Sequence, residues 1–186
     1  MSRCAGPFRQ LAGLALLGLA AGCASGPAPL CSGAGVAVRA DFDQARLSAC
    51  TVDADGRIAA RVAPETVPIN PSPWYAFEVA GVRKGATIEL RYDAEGHRYH
   101  PWVRDPGGRW QRLPDSAVTL AGSGAQIRLP PSRRPLLVAA QPFTPPAEIL
   151  RPWERLAAHG RLAAETAGTS VDGRPLRLFL HRPAQP

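Results

Sequence analysis

Short segments in which apolar and polar residues alternate run through most of the chain, with turn residues between them. In residues 75–79 and 88–92 every second side chain is large and apolar, which is typical of half-buried strands. Asp55-Gly56 and the Asp-Pro-Gly-Gly of residues 105–108 supply hairpin turns. The pattern predicts a mostly β protein, with an antiparallel β-sandwich of about eight strands over residues 36–143.

The pattern changes in residues 144–186. Thr144 precedes residues with helical spacing of apolar side chains and is expected to cap a short helix. Pro152 is expected either to kink this helix or to mark its start. Leucines then alternate in residues 171–180, which predicts a terminal strand with an exposed apolar edge.

The N-terminal residues have the layout of an export signal. Arg3 and Arg9 precede an apolar run of about a dozen residues, too short to span a membrane. The run ends in Leu-Ala-Ala-Gly-Cys, which resembles a bacterial lipobox with Cys23 as the lipidated residue. We therefore expect residues 1–22 to be a lipoprotein signal peptide, and the protein to be a lipoprotein of the bacterial cell envelope, attached to the outer membrane and facing the periplasm or the exterior. Simple cleavage to a soluble secreted protein is the alternative.

Residues 23–35 are rich in Gly, Ser, Pro and Ala, and we expect them to form a flexible tether. In an exported chain, Cys31 and Cys50 would be the two remaining thiols in an oxidising compartment. A disulfide between them is predicted, contributing ~3 kcal/mol of stability. Two separate buried thiols are the alternative.

Composition narrows the range of partners. A chain of 186 residues with 45% hydrophobic residues favours one folded domain. The formal net charge is +7, and every basic side chain except Lys84 and the histidines is Arg. These arginines are scattered among acidic residues, so no nucleic-acid partner is expected.

The residues that could carry chemistry give no catalytic pattern. His97 and His100 have His-x-x-His spacing next to Glu95, but no third metal ligand is evident, and a solvated loop is favoured. His159 is expected to cap a helix, and His181 has no Glu three residues later. No Gly-x-Ser-x-Gly motif and no phosphate-binding Gly loop occur. We expect no catalytic residues, no metal ligands and no cofactor.

Four stretches together resemble the N-terminal part of bacterial zinc carboxypeptidases of the M14 family, which are similar to cytosolic carboxypeptidases. They are VPINPSPWYAFEVAG, YHPWVRDPGGRWQRLPD, LLVAAQPFTPPAEI and GTSVDGRPLRLFL. The resemblance implies a β-sandwich followed, in residues 144–186, by the start of a catalytic domain, with zinc present only if that domain follows. The motif most typical of this family resemblance consists of Asn70, Pro71, Pro73, Trp74, Tyr75 and Phe77. Its aromatic residues are expected in the core, although Trp74 and Tyr75 could instead line a ligand-binding surface.

Three functions follow as hypotheses. The first is a lipid-anchored accessory β-sandwich domain of a carboxypeptidase-like protein, truncated before the catalytic domain and not an enzyme as this chain. The second is a stand-alone envelope lipoprotein that binds a peptide, glycan or protein partner. The third, an intact small hydrolase, requires a site that the sequence does not contain.

Overall fold

A computed structural model describes residues 28–181. The predicted signal peptide, Cys23 and the first part of the tether lie outside the described residues. Within these described residues, thirteen strands and one α-helix follow one another. They are β1 (Cys31–Gly33), β2 (Val36–Arg39), β3 (Ala49–Val52), β4 (Ile58–Val62), β5 (Ala76–Ala80), β6 (Ala86–Tyr92), β7 (Trp102–Arg104), β8 (Gln111–Arg112), β9 (Val118–Ala121), β10 (Gly124–Leu129), β11 (Leu136–Ala139), α1 (Pro146–Ala158), β12 (Leu162–Thr169) and β13 (Pro175–His181).

The first eleven strands form two sheets that pack face to face. The first sheet has six strands in the order β1-β2-β5-β11-β7-β8, and the second has five in the order β3-β4-β6-β10-β9. All pairs are antiparallel except β4 with β6. The predicted fold class is confirmed. The sheets hold more strands than predicted because edge strands such as β8 are too short to show alternation.

The alternating side chains form a single core between the sheets. Phe77, Val79 and Val138 from the first sheet are fully buried, as are Ile88 and Ile127 from the second. Their neighbours along each strand point outward, since successive strand side chains lie on opposite faces. The predicted hairpins are also present, because β3 pairs with β4 and β7 pairs with β8.

A disulfide joins the edges of the two sheets. Cys31 on β1 and Cys50 on β3 are bonded, with Cα atoms 5.7 Å apart. β1 lies within residues 23–35, which the sequence suggested as a tether. This part of the chain is ordered because β1 pairs with β2 and is covalently linked to the second sheet.

After the sandwich, α1 and the β12–β13 hairpin form a separate layer, the C-terminal layer (residues 146–181). Thr144 does not cap the helix: Pro145 occupies that position, and Pro152 lies inside the helix rather than at its start. The terminal strand β13 pairs with β12, so this region contains a hairpin instead of one strand. Within residues 28–181, no helix has both the length and the apolar character needed to cross a membrane.

Candidate functional site

The proline-rich motif begins with a loop that Asn70 holds together. The backbone of Asn70 exchanges hydrogen bonds with Thr66, with N–O distances of 2.6 and 2.9 Å. Its side-chain Nδ2 donates to Glu65 Oε2 at 2.6 Å, and its Oδ1 accepts from the Ser72 backbone N–H at 3.1 Å. Pro71 follows and is half-buried. Asn70 therefore orders the entry into β5 and is not free to contact a ligand through these atoms.

The next residues of the motif belong to the core. Pro73, Tyr75 and Phe77 are buried, and the rings of Tyr75 and Phe77 lie 6.1 Å apart. The Tyr75 hydroxyl has no hydrogen-bond partner among the described residues. Burial raises the pKa of Tyr75 well above its usual value, since the charged phenolate is disfavoured away from water. Tyr75 accordingly fills the core and does not line a ligand-binding surface.

Trp74 points the other way and joins a second aromatic group. We call Trp74, Trp110 and Phe143 the aromatic junction. The ring of Phe143 lies 6.1 Å from that of Trp74 and 5.1 Å from that of Trp110. Trp110 Nε1 also donates a hydrogen bond to the Phe143 carbonyl at 2.8 Å. These contacts fix the segment that leaves the sandwich toward α1.

Arg104 extends the aromatic junction to the helix. Its guanidinium lies 5.0 Å from the centre of the Trp110 ring, within the range of a cation–π contact. Its Nη2 also approaches Glu148 Oε1 of α1 at 3.6 Å. The sequence indicated core aromatics here but not this cluster, because Phe143 and Trp110 are distant from Trp74 along the chain.

The histidines have structural contacts. His97 Nδ1 is hydrogen-bonded to the Tyr92 hydroxyl at 2.9 Å, and burial, followed by the nearby His100, lowers the pKa of His97. His100 Nε2 lies 2.6 Å from the Leu113 carbonyl. The expected loop is present and exposes Glu95 and Arg98, whereas His97 and His100 are half-buried and hydrogen-bonded. His159 ends α1, with its Nδ1 2.7 Å from the Arg155 carbonyl.

A zinc site is the group that the carboxypeptidase resemblance implies, and the side chains present do not fit it. Among residues 28–181, no three His, Cys, Asp or Glu side chains are grouped closely enough to hold a metal ion. His97 and His100 are directed to Tyr92 and Leu113 rather than to a common point.

The two faces of the β12–β13 hairpin have different neighbours, and large apolar side chains stay partly exposed on both, since Trp153 of α1 is itself 48% exposed. On one face, Trp153 of α1 packs against Phe179, with ring centres 6.3 Å apart. On the opposite face lie Leu176, Leu178 and Leu180, which are 52%, 41% and 41% exposed; we call these the leucine face. β12 and β13 pair only with each other within the described part of the chain.

Few contacts tie this hairpin to the sandwich. Arg174, in the turn between β12 and β13, forms an ion pair with Asp43 at 2.9 Å. Both side chains are substantially exposed, so the pair contributes little stability. The leucine face thus places three exposed apolar side chains side by side on a hairpin whose outer strand edges are unpaired among the described residues.

No family model matches this sequence, and no curated protein matches it. Solved structures do match. One is a metallo-carboxypeptidase from Burkholderia cenocepacia, with a TM-score of 0.60 and 16% identity over 81% of this chain and 40% of that chain. Another is a metallo-carboxypeptidase from Pseudomonas aeruginosa in complex with (2-guanidinoethylmercapto)succinic acid, with a TM-score of 0.52 and 25% identity over 76% of this chain and 39% of that chain.

The chain therefore spans about two fifths of the length of the solved structures it matches. Because the identities are low, the likeness concerns the fold. The sandwich and the C-terminal layer have a fold like that of part of bacterial metallo-carboxypeptidases.

Proposed function

We propose that this chain is the accessory, non-catalytic β-sandwich part of a bacterial carboxypeptidase-like protein, and that its leucine face contacts the catalytic part. Zinc and peptidase chemistry belong to that catalytic part. The observation that carries the proposal is the leucine face, taken together with the fold likeness, which extends over about two fifths of the matching proteins.

The geometry of the C-terminal layer supports a specific kind of partner. A two-stranded hairpin is marginally stable alone, and its unpaired edges can accept further strands. Sheets that carry helices on both faces have apolar residues on both faces. Here Trp153 of α1 contacts Phe179 on one face, and three exposed leucines occupy the other. A catalytic part that adds strands to the unpaired edges and packs a helix on the leucine face would cover both features.

The second element of the proposal is attachment to the envelope through Cys23. Residues 23 to 31 reach at most about 28 Å when fully extended, and the disulfide at Cys31 fixes the end of this segment to the sandwich. A lipid on Cys23 would hold the sandwich close to the outer membrane.

Thiol labelling tests whether the leucine face is covered in the cell. Leu178→Cys introduces a thiol on this face, and Leu120→Cys introduces one on the sandwich strand β9, where Leu120 is 71% exposed. Each variant is alkylated with a membrane-impermeant maleimide, first as the purified mature chain and then in opened native envelopes. We expect Cys at 178 to react quickly when purified and at least about tenfold more slowly in envelopes, whereas Cys at 120 reacts quickly in both.

Equal rates at position 178 in the two preparations would overturn the proposal, because the leucine face would then be uncovered where the protein works. Protection at both positions would point to general shielding by the envelope and would also contradict a specific partner.

A further inference from the structure

A cavity of about 680 Å³ opens at one end of the sandwich, where three turns meet. Ala34 of the β1–β2 turn, Gly56 of the β3–β4 turn and Gly85 of the β5–β6 turn line it, and Val36 and Leu129 contribute apolar walls. We call it the turn cavity. Its volume lies within the range of about 300–1,000 Å³ that is common for ligand sites.

Close backbone packing shapes this cavity. Gly81 lines it with φ at +83°, and a Cβ at this position would collide with the Gly35 carbonyl. The β1–β2 and β5–β6 turns can approach this closely because residue 81 lacks a side chain. The turns are consequently held in place by the sheets and do not need a ligand to order them.

Four cationic side chains line the turn cavity: Arg57, Arg83, Lys84 and Arg128. Asp55 is the acidic residue among the lining residues. Within residues 28–181, none of the four cations forms an ion pair.

Elsewhere on the same sheet, arginines do have carboxylate partners. Arg61 pairs with Asp93 at 2.7 Å, and Arg91 pairs with Glu89 at 2.9 Å. The unpaired cations at the turn cavity therefore do not reflect a shortage of acidic residues on this surface. Cationic side chains that crowd together without counter-charges repel one another, and an anion between them removes that cost.

The neighbouring carboxylates of Asp55 and Asp53 compensate only part of this charge. Oδ1 of the nearby Asp53 accepts the backbone N–H groups of Asp55 and Arg57, both at 2.9 Å, and so is used by the turn. Arg128 Nη2 donates to the Ser116 carbonyl, which occupies only part of its guanidinium. The Ser132 N–H donates to the Val82 carbonyl at 2.9 Å, which fixes the segment after β10 to the β5–β6 turn.

We infer that the turn cavity binds a phosphate-type oxyanion. Guanidinium groups present N–H donors in a planar fork that matches phosphate oxygens, and charge-assisted hydrogen bonds of this kind are stronger than neutral ones. Three arginines and one lysine around one opening suit a group with two negative charges better than a single carboxylate. The cavity also leaves space for a substituent on the phosphate.

The phosphate could come from a soluble ion or from a lipid headgroup. The cavity begins at Ala34, directly after β1, and the segment from residue 23 to the disulfide at Cys31 reaches at most about 28 Å. If Cys23 is lipidated as proposed, the cavity can reach the membrane surface. The headgroup source rests on that lipid anchor, whereas the oxyanion site does not.

The test uses the full mature chain with inorganic pyrophosphate in calorimetry at low salt, and with vesicles in co-sedimentation. Vesicles of phosphatidylcholine are compared with vesicles that also contain phosphatidylglycerol. Because a lipid anchor would insert into both kinds of vesicle, the quantity of interest is the difference in the bound fraction of protein between them. The variant Arg83→Gln/Lys84→Gln removes two cavity cations. The control Arg151→Gln/Arg155→Gln removes two exposed cations on α1, neither of which lines the turn cavity.

We expect the cavity variant to weaken pyrophosphate binding, or the preference for phosphatidylglycerol, by about tenfold, and the control to change it by less than about twofold. Binding to pyrophosphate without a vesicle preference supports a soluble phosphate, and a vesicle preference alone supports a headgroup. Absence of both, or an equal loss in the two variants, overturns the site, because equal losses would reflect only the overall positive field. This outcome is independent of the labelling result at position 178.

Discussion

At the scale of single residues, the side chains of the motif Asn70–Phe77 have three different structural roles. Asn70 ties the preceding loop, Tyr75 and Phe77 fill the core, and Trp74 joins the aromatic junction. The core positions could be predicted from the alternation, because every second side chain of a half-buried strand faces inward. The contact of Trp74 with Phe143 could not, since it depends on how β5 and the segment after β11 meet in space.

Tyr75 offers a direct test of the core assignment. Its hydroxyl is buried without a hydrogen-bond partner among the described residues, so Tyr75→Phe removes a desolvation penalty and should raise the free energy of unfolding by ~1 kcal/mol. Urea denaturation at pH 7 measures this change. A loss of more than about 1 kcal/mol would mean that the hydroxyl makes a stabilising contact.

The same residue gives a pH dependence. Burial raises the pKa of Tyr75 above the usual 10.0, so the folded state keeps the phenol neutral. Above pH 10 the unfolded chain ionises while the folded protein does not, and the stability falls as the pH rises. Thermal unfolding between pH 8 and 11 should show a smaller fall for Tyr75→Phe than for the parent. Some fall should persist, because burial also raises the pKa of Tyr92.

The disulfide is a further prediction at this scale. Cys31→Ser/Cys50→Ser opens a link between residues 19 positions apart, which joins the edges of both sheets. We expect a loss of ~3 kcal/mol in the free energy of unfolding, measured in urea. Dithiothreitol should lower the stability of the parent by a similar amount and leave the variant unchanged, and a stabilising effect of the double variant would contradict the structure.

At the scale of elements, sequence patterns located most of the sandwich. β5, β6 and the β3–β4 hairpin were visible because alternation and turn residues coincide there. β12 was not, since Leu162–Thr169 is dominated by Ala, Thr and Gly and lacks apolar alternation; it becomes a strand by pairing with β13. The parallel pairing of β4 with β6 likewise depends on contacts between distant segments, which local patterns do not encode.

The aromatic junction should hold the end of the sandwich together. Phe143→Ala removes the ring that contacts both Trp74 and Trp110, and we expect a loss of ~2 kcal/mol, less than the roughly 3–5 kcal/mol of a fully buried Phe, because Phe143 is half-buried. Urea denaturation followed by Trp fluorescence measures it. Phe143→Leu keeps apolar volume and should lose less; equal stability of the parent and Phe143→Ala would show that the junction is not structural.

At the scale of the whole molecule, two regions differ in character. The turn cavity collects unpaired cations where three turns meet, while the aromatic junction joins Trp74 and the β7–β8 hairpin to the segment that leads to the C-terminal layer. The leucine face lies on that layer, away from α1. Charge and apolar exposure thus point to two separate interactions, one with an oxyanion and one with a protein layer.

The central claim is that the C-terminal layer belongs to a larger carboxypeptidase-like sheet. The most direct measurement is to sequence the genomic DNA that follows the codon for Pro186 and to read it in all three forward frames. We predict that one frame encodes alternating strands and helices with a His-x-x-Glu zinc motif. Unrelated sequence in every frame would contradict it, and the leucine face would then have to be covered by something other than an adjoining catalytic part.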